Sequence, residues 1–370
     1  MNLEVSKIVD NDYLESQLSK LNKELIFLYG AGSFGKETCY FLKNHGIEIL
    51  GFLDRRASDI KGYCGKPVYS LEDTLNPKVK EKALVLFSIV MDKDKRKSVI
   101  DDIRKAGFCH IEEAQFYRSL QIIPDDLEEE NLQEYYIAKR NSIEEAYSSL
   151  GDEKSKSIYM ANITAHFLKD FSECALWEDP MGEQYFPTDI QLTSGYNRFI
   201  DCGGFIGDTV ESLLERKENI QAIAVFEPDI YNFGCLTNFC RKSGKEIFCF
   251  PCAVSDRTCL QRFSAARGSG TISEEGESTI LSISLDEALN GFHPTFIKMD
   301  IEGAEIKALN GAKNMICESV PDLAVCVYHN INHLWDILLL LKSWNLGYEF
   351  FLRSYNAYTM ETVLYATKKN

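Results

Sequence analysis

The sequence predicts an α/β protein built from two successive series of strands and helices. Apolar segments with strand character alternate with amphipathic segments, and each series opens with a strand that runs into a glycine turn. At roughly 150 residues per domain, 370 residues favour two or three domains. We expect an N-terminal domain over residues 1–120, a helical linker and lid region over 121–195, and a second α/β domain over 196–370.

The N-terminal series predicts a Rossmann-like unit. Strands are predicted at residues 24–30, 47–54 and 82–90, and helical spacing occurs at 36–46 and 98–108. Such alternation indicates a parallel sheet with helices on both faces. Residues 124–171 then read as helices, the first opening on proline and an acidic run, and Asp152 is typical of a helix cap.

A second Rossmann-like unit begins at Arg198. It opens on a strand that enters a glycine turn, and a polar loop with a short helix separates its third and fourth strands. Residues 301–316 read as one helix, and the last two strands, close in sequence, read as a hairpin added to the sheet edge. The strands are predicted at 197–204, 222–229, 246–254, 294–300, 322–329, 348–355 and 361–369.

Charge and hydropathy limit the classes of partner. With 40 basic and 56 acidic residues the net charge is −16, which disfavours nucleic acid and anionic lipid surfaces. The apolar runs are too short to span a bilayer and the N-terminus lacks a signal-peptide pattern, so we expect a cytoplasmic protein with reduced cysteines. Cys249 and Cys252 have a zinc-like spacing but lie in a predicted strand, and we expect no metal there.

The first glycine turn follows the pattern G-x-G-x-x-G. It comprises Gly30, Gly32 and Gly35 between a strand and a helix, and Asp54 ends the next strand. Glycines of this kind let a backbone approach a pyrophosphate, while the acid accepts ribose hydroxyls. Two interpretations stay open: a second site for a nucleotide or nucleotide-sugar, and a purely structural or docking turn.

The second glycine turn has a different spacing, D-x-G-x-x-x-G. Asp201, Gly203 and Gly207 carry it, and Glu227 ends the following strand, where a carboxylate can bind both hydroxyls of a ribose. This turn lacks the compact pyrophosphate cradle and suits a ligand with a small carboxylate and an ammonium group. Asp201 either holds that ammonium or shapes the turn.

Four motifs of the second series resemble the FkbM family of S-adenosylmethionine-dependent methyltransferases. They are FIDCGGFIGDT at 199–209, VFEPD at 225–229, CAVSD at 252–256 and, most specific, IKMDIEGAEIKALNGA at 297–312. The resemblance covers about residues 198–366 and implies a seven-stranded class I methyltransferase sheet with a terminal β-hairpin. It departs from the family at Gly204, where alanine is more usual, and we expect this glycine only to loosen the turn.

The resemblance implies a site for S-adenosylmethionine. Its methionine end is expected at Asp201, Gly203, Gly204 and Gly207, its ribose at Glu227, and its adenine near Ala253 and Asp256. The usual acceptors of the family are hydroxyls of sugars, glycans or polyketides. Because the N-terminal unit also resembles nucleotide-sugar-binding domains of bacterial sugar acetyltransferases, we expect O-methylation of a sugar, glycan or related metabolite.

The acceptor side requires a base, because a hydroxyl is a poor nucleophile until its proton is removed. Asp300 and His329 end two predicted strands at the expected crevice, and both are base candidates. Strand alternation places Lys298 on the same side as Asp300, where we expect the two to pair and keep Asp300 ionised.

Two further side chains are expected at the acceptor. Glu302 follows Asp300 closely, and Tyr185 lies in a predicted lid with Gln184 and Phe186. Arg353 is expected to be an exposed strand residue. A divalent ion between Asp300 and Glu302 is an alternative, although we expect no metal. Two other functions stay open: an NAD- or nucleotide-sugar-dependent enzyme using the first turn, and a catalytically silent scaffold.

Overall fold

The computed structural model of the protein describes residues 3–9, 11–22, 24–60, 62–73, 75–91, 93–120, 131–264, 270–272 and 276–369. The acidic run 125–130, predicted to open a helix, lies outside these residues. No helix in the described ranges is both long and apolar enough to cross a membrane.

The N-terminal unit contains a six-stranded sheet with the order β3-β4-β2-β1-β5-β6. All neighbouring pairs are parallel except β3 with β4. The strands are β1 (Ile26–Tyr29), β2 (Ile49–Leu53), β3 (Gly62–Tyr63), β4 (Lys66–Tyr69), β5 (Leu84–Phe87) and β6 (His110–Glu113). The helices are α1 (Asn11–Leu21), α2 (Ser33–Asn44), α3 (Pro77–Lys82), α4 (Lys93–Lys105) and α5 (Ala114–Ser119). The predicted central strands β1, β2 and β5 are confirmed as fully or almost fully buried runs. The short outer strands β3, β4 and β6 lack an apolar run and were not predicted.

Two capped helices connect the units. They are α6 (Leu132–Ser149) and α7 (Glu153–Leu168). The Asp152 side chain accepts a hydrogen bond from the Ser155 amide at the start of α7, which confirms the predicted cap. Ile158 and Ile163 of α7 pack in the C-terminal core, whereas Ala161 and Ala165 pack in the N-terminal core. Helix α7 therefore packs against the cores of both units. The domain bounds 1–120, 121–195 and 196–370 stay a prediction.

The C-terminal unit contains a seven-stranded sheet with the order β16-β17-β15-β14-β7-β8-β9. Neighbouring strands are parallel from β15 to β9, and β17 is antiparallel to both β15 and β16. This confirms the predicted seven-stranded sheet with a terminal hairpin. Its strands are β7 (Arg198–Cys202), β8 (Ala222–Phe226), β9 (Ile247–Phe250), β14 (Phe296–Met299), β15 (Asp322–Cys326), β16 (Tyr348–Ser354) and β17 (Thr362–Lys368). The helices of this unit are α8 (Asp208–Arg216), α9 (Ile230–Ser243), α10 (Leu285–Ala288), α11 (Glu305–Asn310), α12 (Lys313–Ser319) and α13 (His333–Ser343).

A small third sheet combines the end of the predicted third strand 246–254 with most of the region predicted as a polar loop. Its strand order is β10-β13-β11-β12, and it projects from the segment between β9 and α10. Its strands are β10 (Ala253–Val254), β11 (Cys259–Ser264), β12 (Thr271–Ile272) and β13 (Ser278–Ile283). Leu260 and Leu281 are exposed. The segment therefore lacks the buried apolar run by which the other strands were recognised.

The helix predicted over residues 301–316 is instead two short helices, α11 and α12. The break falls at Gly311, where an added Cβ would lie 2.0 Å from the main-chain oxygen of Ser255. Only glycine permits this close approach of the helix to the loop after β10. The break therefore depends on a tertiary contact that helical periodicity does not reveal.

Candidate functional site

A cavity of about 620 Å³ opens at the carboxyl ends of the central C-terminal strands. This volume lies within the range of roughly 300–1,000 Å³ typical of small-molecule sites. It is lined by residues within two positions of the ends of β7, β8, β14 and β15: Gly203, Glu227, Asp300 and Tyr328. The chain order reverses between β7 and β14, so the cavity lies where doubly wound sheets bind their ligands.

The turn after β7 packs tightly against the end of β14. Gly203 has φ +88°, and a Cβ at this position would lie 1.9 Å from the main-chain oxygen of Asp300. The amides of Gly203 and Gly204 both donate to the main-chain oxygen of Phe226. This fixes the turn between the two neighbouring strands and leaves Gly203 at the cavity wall.

The sequence predicted that Gly204 would only loosen the turn. In the structure Gly204 instead packs so closely against β8 that a side chain would collide. A Cβ at this position would lie 2.1 Å from Cγ1 of Val225, so alanine requires movement of strand β8 or its side chain. Gly207 has φ +98° and precedes helix α8. Neither Gly204 nor Gly207 lines the cavity, so both shape the turn from behind it.

Glu227 reaches the cavity from the end of β8. Its Oε2 accepts a hydrogen bond from the Phe205 amide and its Oε1 one from the Asp229 amide, both at 2.9 Å. Burial raises the pKa of Glu227 to about 7, against these hydrogen bonds, which lower it. No cation pairs with this carboxylate among the described residues. The Asn232 side chain adds a third hydrogen bond that lowers this pKa. A carboxylate offers about four lone-pair sites, so at least one stays open to a ligand hydroxyl.

Only part of the segment that follows β9 lies at the cavity. Ala253 lines the cavity, together with its neighbours Cys252 and Val254. Asp256 is exposed and does not line the cavity, and its carboxylate accepts from the hydroxyl of Ser255. The expectation that Asp256 faces the ligand is therefore wrong, because the chain turns away after β10.

Lys298 pairs with Asp201 rather than with Asp300. The Nζ–Oδ1 distance to Asp201 is 3.0 Å, and both side chains are fully or almost fully buried. The two residues are directly paired across strands β14 and β7. Lys298 also donates to the main-chain oxygen of Gly203 at 2.5 Å. Lys298 lines the cavity, whereas Asp201 does not. Asp201 therefore lies beneath the turn and contacts the site through its ion pair with Lys298.

Asp300 is held by two phenols. The Tyr185 hydroxyl donates to Oδ2 at 2.7 Å, and the Tyr328 hydroxyl donates to Oδ1 at 3.2 Å. All three residues line the cavity. Tyr185 is thus confirmed as a cavity residue, with φ +66°. Asp300 stands with its carboxylate oriented and facing open space, which a general base requires.

His329 is surrounded by carboxylates. Its Nδ1 lies 2.9 Å from Oε1 of the fully buried Glu305, and its Nε2 lies 3.5 Å from both Asp300 and Glu302. Burial lowers the pKa of His329, but Glu305, Asp300 and Glu302 together raise it to about 10. An imidazolium cannot accept a proton, so of the two predicted bases the geometry favours Asp300. His329 lies instead as a positive charge among Asp300, Glu302 and Glu305.

Glu302 lines the cavity, and so does Gln184 of the predicted lid. Phe205 and Glu361, which were not predicted as site residues, also line it, as does Val90 of the N-terminal unit. Glu361 lies in the turn before the last strand, about 60 residues from Asp300 in sequence and outside every motif. A positive φ angle is a signal that only the coordinates reveal. Four of the described non-glycine residues with positive φ line this cavity: Tyr185, Phe205, Glu302 and Glu361. Strained backbone of this kind clusters at functional sites.

Arg353 was expected to be exposed and is buried instead. Its guanidinium lies 2.8 Å from Asp152 and 3.0 Å from Asp189. It therefore ties strand β16 to the cap of α7 and to the segment before β7. It does not line the cavity.

The N-terminal glycine turn is occupied by its own side chains. The Asp54 carboxylate accepts from the Ala31 amide at 2.7 Å and from the Arg56 guanidinium, and the Tyr63 hydroxyl donates to the Gly32 oxygen at 3.0 Å. None of Gly30, Gly32, Gly35 and Asp54 lines the C-terminal cavity. Nucleotide binding at these four residues stays a prediction.

Comparisons with known proteins agree with this geometry. Residues 201–350 match the methyltransferase FkbM domain family. The crystal structure of methyltransferase FkbM from Methylobacillus flagellatus KT is similar to this chain with a TM-score of 0.67 and 21% identity, over 97% of this chain and 94% of that chain. At this identity the likeness establishes the shared fold. A search of curated proteins finds no match.

Proposed function

Because residues 201–350 form an FkbM methyltransferase domain and the chain is therefore a methyl-transfer enzyme, we propose that it is an S-adenosylmethionine-dependent O-methyltransferase. Its acceptor is a hydroxyl of a sugar, glycan or related metabolite. One observation carries the proposal: a buried carboxylate without a cation, Glu227, and an oriented carboxylate, Asp300, line the same cavity.

The residues of the donor half fit S-adenosylmethionine. The cavity has the volume of a small-molecule site, and Glu227 keeps acceptor capacity beside its three hydrogen bonds where a ribose would lie. Gly203 brings bare backbone to the wall, and Ala253 leaves room beside it for a flat base. Carboxylates in and around the cavity favour a cationic ligand. Gly203, Glu227 and Ala253 would thus hold the donor, with Asp201, Gly204 and Gly207 supporting the turn.

Asp300 acts on the acceptor. A bound S-adenosylmethionine would supply an electrophilic methyl carbon for the acceptor oxygen, with its neutral thioether as the leaving group. Asp300 takes the proton of the acceptor hydroxyl, and Tyr185 and Tyr328 hold the carboxylate in place for this transfer. The imidazolium of His329 balances the charge of Asp300 and Glu302.

The acceptor half of the cavity suits an uncharged, hydroxyl-rich group. Asp300, Glu302 and Glu361 line it, and carboxylates repel phosphate and carboxylate groups. Tyr185 and Tyr328 add aromatic surface and hydroxyls of the kind that recognise sugars. If the acceptor carries a nucleotide, its phosphates must lie outside this half of the cavity.

A ligand titration tests the proposal. We expect S-adenosylhomocysteine to raise the melting temperature of the full chain in proportion to the logarithm of its excess. Methyl transfer from labelled S-adenosylmethionine to a panel of free and nucleotide-linked sugars then identifies the acceptor. Stabilisation by NAD without stabilisation by S-adenosylhomocysteine would overturn the proposal, and stabilisation by UDP-glucose that is lost in Asp54→Asn would establish the predicted second site.

A further inference from the structure

The turn between the last two strands reaches the bottom of the cavity. It comprises residues Tyr355–Glu361 and joins β16 to β17. Glu361 lines the cavity, and its Oε2 accepts a hydrogen bond from Nε2 of Gln184 at 2.6 Å. The φ angle of Glu361 is +56°, a conformation that costs a non-glycine residue of order 1–3 kcal/mol. The surrounding structure must therefore hold it there.

Both ends of the turn are tied down. The Tyr355 amide donates to the main-chain oxygen of Glu361 at 3.1 Å, and the Thr362 hydroxyl donates to that of Thr359 at 2.7 Å. At the tip, the Ser119 hydroxyl of α5 donates to the main-chain oxygen of Tyr358 at 3.1 Å. The Tyr358 ring packs edge-on against Phe116 of the same helix. The N-terminal unit therefore braces the turn that presents Glu361.

Glu361 and Asp300 line the same cavity and are linked through two side chains. Nε2 of Gln184 donates to Oε2 of Glu361 at 2.6 Å and to the Tyr185 hydroxyl at 3.1 Å, and that hydroxyl donates to Oδ2 of Asp300 at 2.7 Å. Burial, and then the charge of Asp300, raise the pKa of Glu361 to about 7. Asp300 is an acceptor already oriented by two phenols, whereas Glu361 can accept or donate. Two carboxyl groups that are linked in this way at one cavity can each bind a hydroxyl of the same molecule.

We propose that Glu361 binds a second hydroxyl adjacent to the one that is methylated, so that the enzyme selects acceptors with a vicinal diol. This inference rests on the proposed O-methyltransferase function. An acceptor with a single hydroxyl would leave the Glu361 carboxyl facing it without a partner after water is excluded, and such unpaired polar groups reject an analogue strongly. Gln184 holds the other side of the carboxyl and sets its direction.

Fragment binding tests this selection without knowledge of the natural acceptor. The full chain, saturated with S-adenosylhomocysteine, is titrated with cis- and trans-cyclohexane-1,2-diol and with cyclohexanol, and binding is followed by saturation-transfer NMR. We expect one diol isomer to bind about tenfold or more tightly than cyclohexanol, the effect of one hydrogen bond to a charged group. Glu361→Met should remove this preference, and Glu361→Gln, which still forms hydrogen bonds, should restore part of it.

Glu349→Gln is the matched control. Glu349 lies in the same hairpin, on β16, and pairs with Lys369 at the surface, so its substitution should leave the diol preference intact. Equal affinity for diol and cyclohexanol, no detectable diol binding, or a preference that survives Glu361→Met would overturn the inference alone. Failure of the wild-type chain to bind S-adenosylhomocysteine would overturn the proposed function, and the inference with it.

Discussion

The two glycine turns of this protein have similar sequence contexts but different surroundings in the folded structure. Each follows the first strand of a parallel sheet, and each has an acid at the end of the second strand, Asp54 in one unit and Glu227 in the other. In the N-terminal unit, Asp54 is bonded by Ala31 and Arg56. In the C-terminal unit, the corresponding acid faces a cavity of about 620 Å³.

The two acids show what distinguishes a satisfied turn from a binding site. Burial acts to raise the pKa of Asp54, but hydrogen bonds from Arg56 and Ala31 hold it below its usual value. Glu227 has hydrogen-bond donors but no cation beside it in the part of the chain that the structure describes, and burial raises its pKa to about 7. A carboxylate that is buried without a counter-charge has more to gain from a ligand. Sequence position is therefore a weaker guide to a ligand site than the partners that the fold supplies.

The largest expected effect is on turnover. Asp300→Asn should lower the rate of methyl transfer by about a hundredfold or more, because the amide cannot take the acceptor proton. Its affinity for S-adenosylhomocysteine, measured by calorimetry, should stay unchanged. Asp54→Asn is the counterpart in the N-terminal unit and should leave turnover unchanged. Normal turnover of Asp300→Asn would exclude Asp300 as the base.

The next effect is on stability and separates the glycines of the two turns. Gly203→Ala should lower the free energy of unfolding by about 3 kcal/mol or more, since φ is +88° and the new Cβ meets the Asp300 oxygen. Gly32→Ala should cost less than about 1 kcal/mol, because no atom lies within 4 Å of its Cβ position and its φ is −110°. Chemical denaturation measures both. Similar losses in the two variants would mean that the turns are equally constrained.

A smaller effect is expected on donor affinity and its pH dependence. Glu227→Gln should weaken S-adenosylhomocysteine binding about tenfold, by loss of charged hydrogen bonds to the ribose. In the wild type, affinity should fall as the pH drops through about 7, because Glu227 then takes up a proton and loses its charge. Calorimetry over that range should show a flatter profile for Glu227→Gln. An identical pH profile in both proteins would contradict the assigned role.

The smallest effect concerns the contact between the units. Ser119→Ala should lower the free energy of unfolding by about 1 kcal/mol, since it removes a buried hydrogen bond to Tyr358. Ser343→Ala removes a comparable bond to the Leu340 oxygen at an exposed helix end and should change stability little. Equal effects would show that the N-terminal unit does not brace the turn of Glu361.

Much of the site could be predicted because it lies where strands end. Gly203, Glu227, Ala253, Asp300 and Glu302 each follow a strand of a parallel sheet, and the carboxyl ends of such strands meet at one edge. Side-chain alternation along one strand did not predict an ion pair whose partner lies on the neighbouring strand. Alternation placed Lys298 beside Asp300, but its ion pair is with Asp201, the residue directly across the sheet.

The protonation of His329 and the presence of Glu361 were beyond sequence reasoning for a related cause. Glu305 contacts the His329 imidazole from the first residue of helix α11, whereas His329 lies after strand β15. Glu361 arrives from the terminal hairpin, and its direction depends on a left-handed backbone that the N-terminal unit braces. Neither contact corresponds to a residue spacing that can be recognised in the sequence.

The amino-acid order alone determined the two α/β units, their glycine bends and the acids at their strand ends, since these follow from local periodicity and backbone sterics. Folding in three dimensions decided which bend stays open, which cation meets which carboxylate and which proton each group keeps. Those outcomes depend on burial and on charges brought together from distant parts of the chain, and electrostatic energies depend on distance in space rather than on separation in sequence.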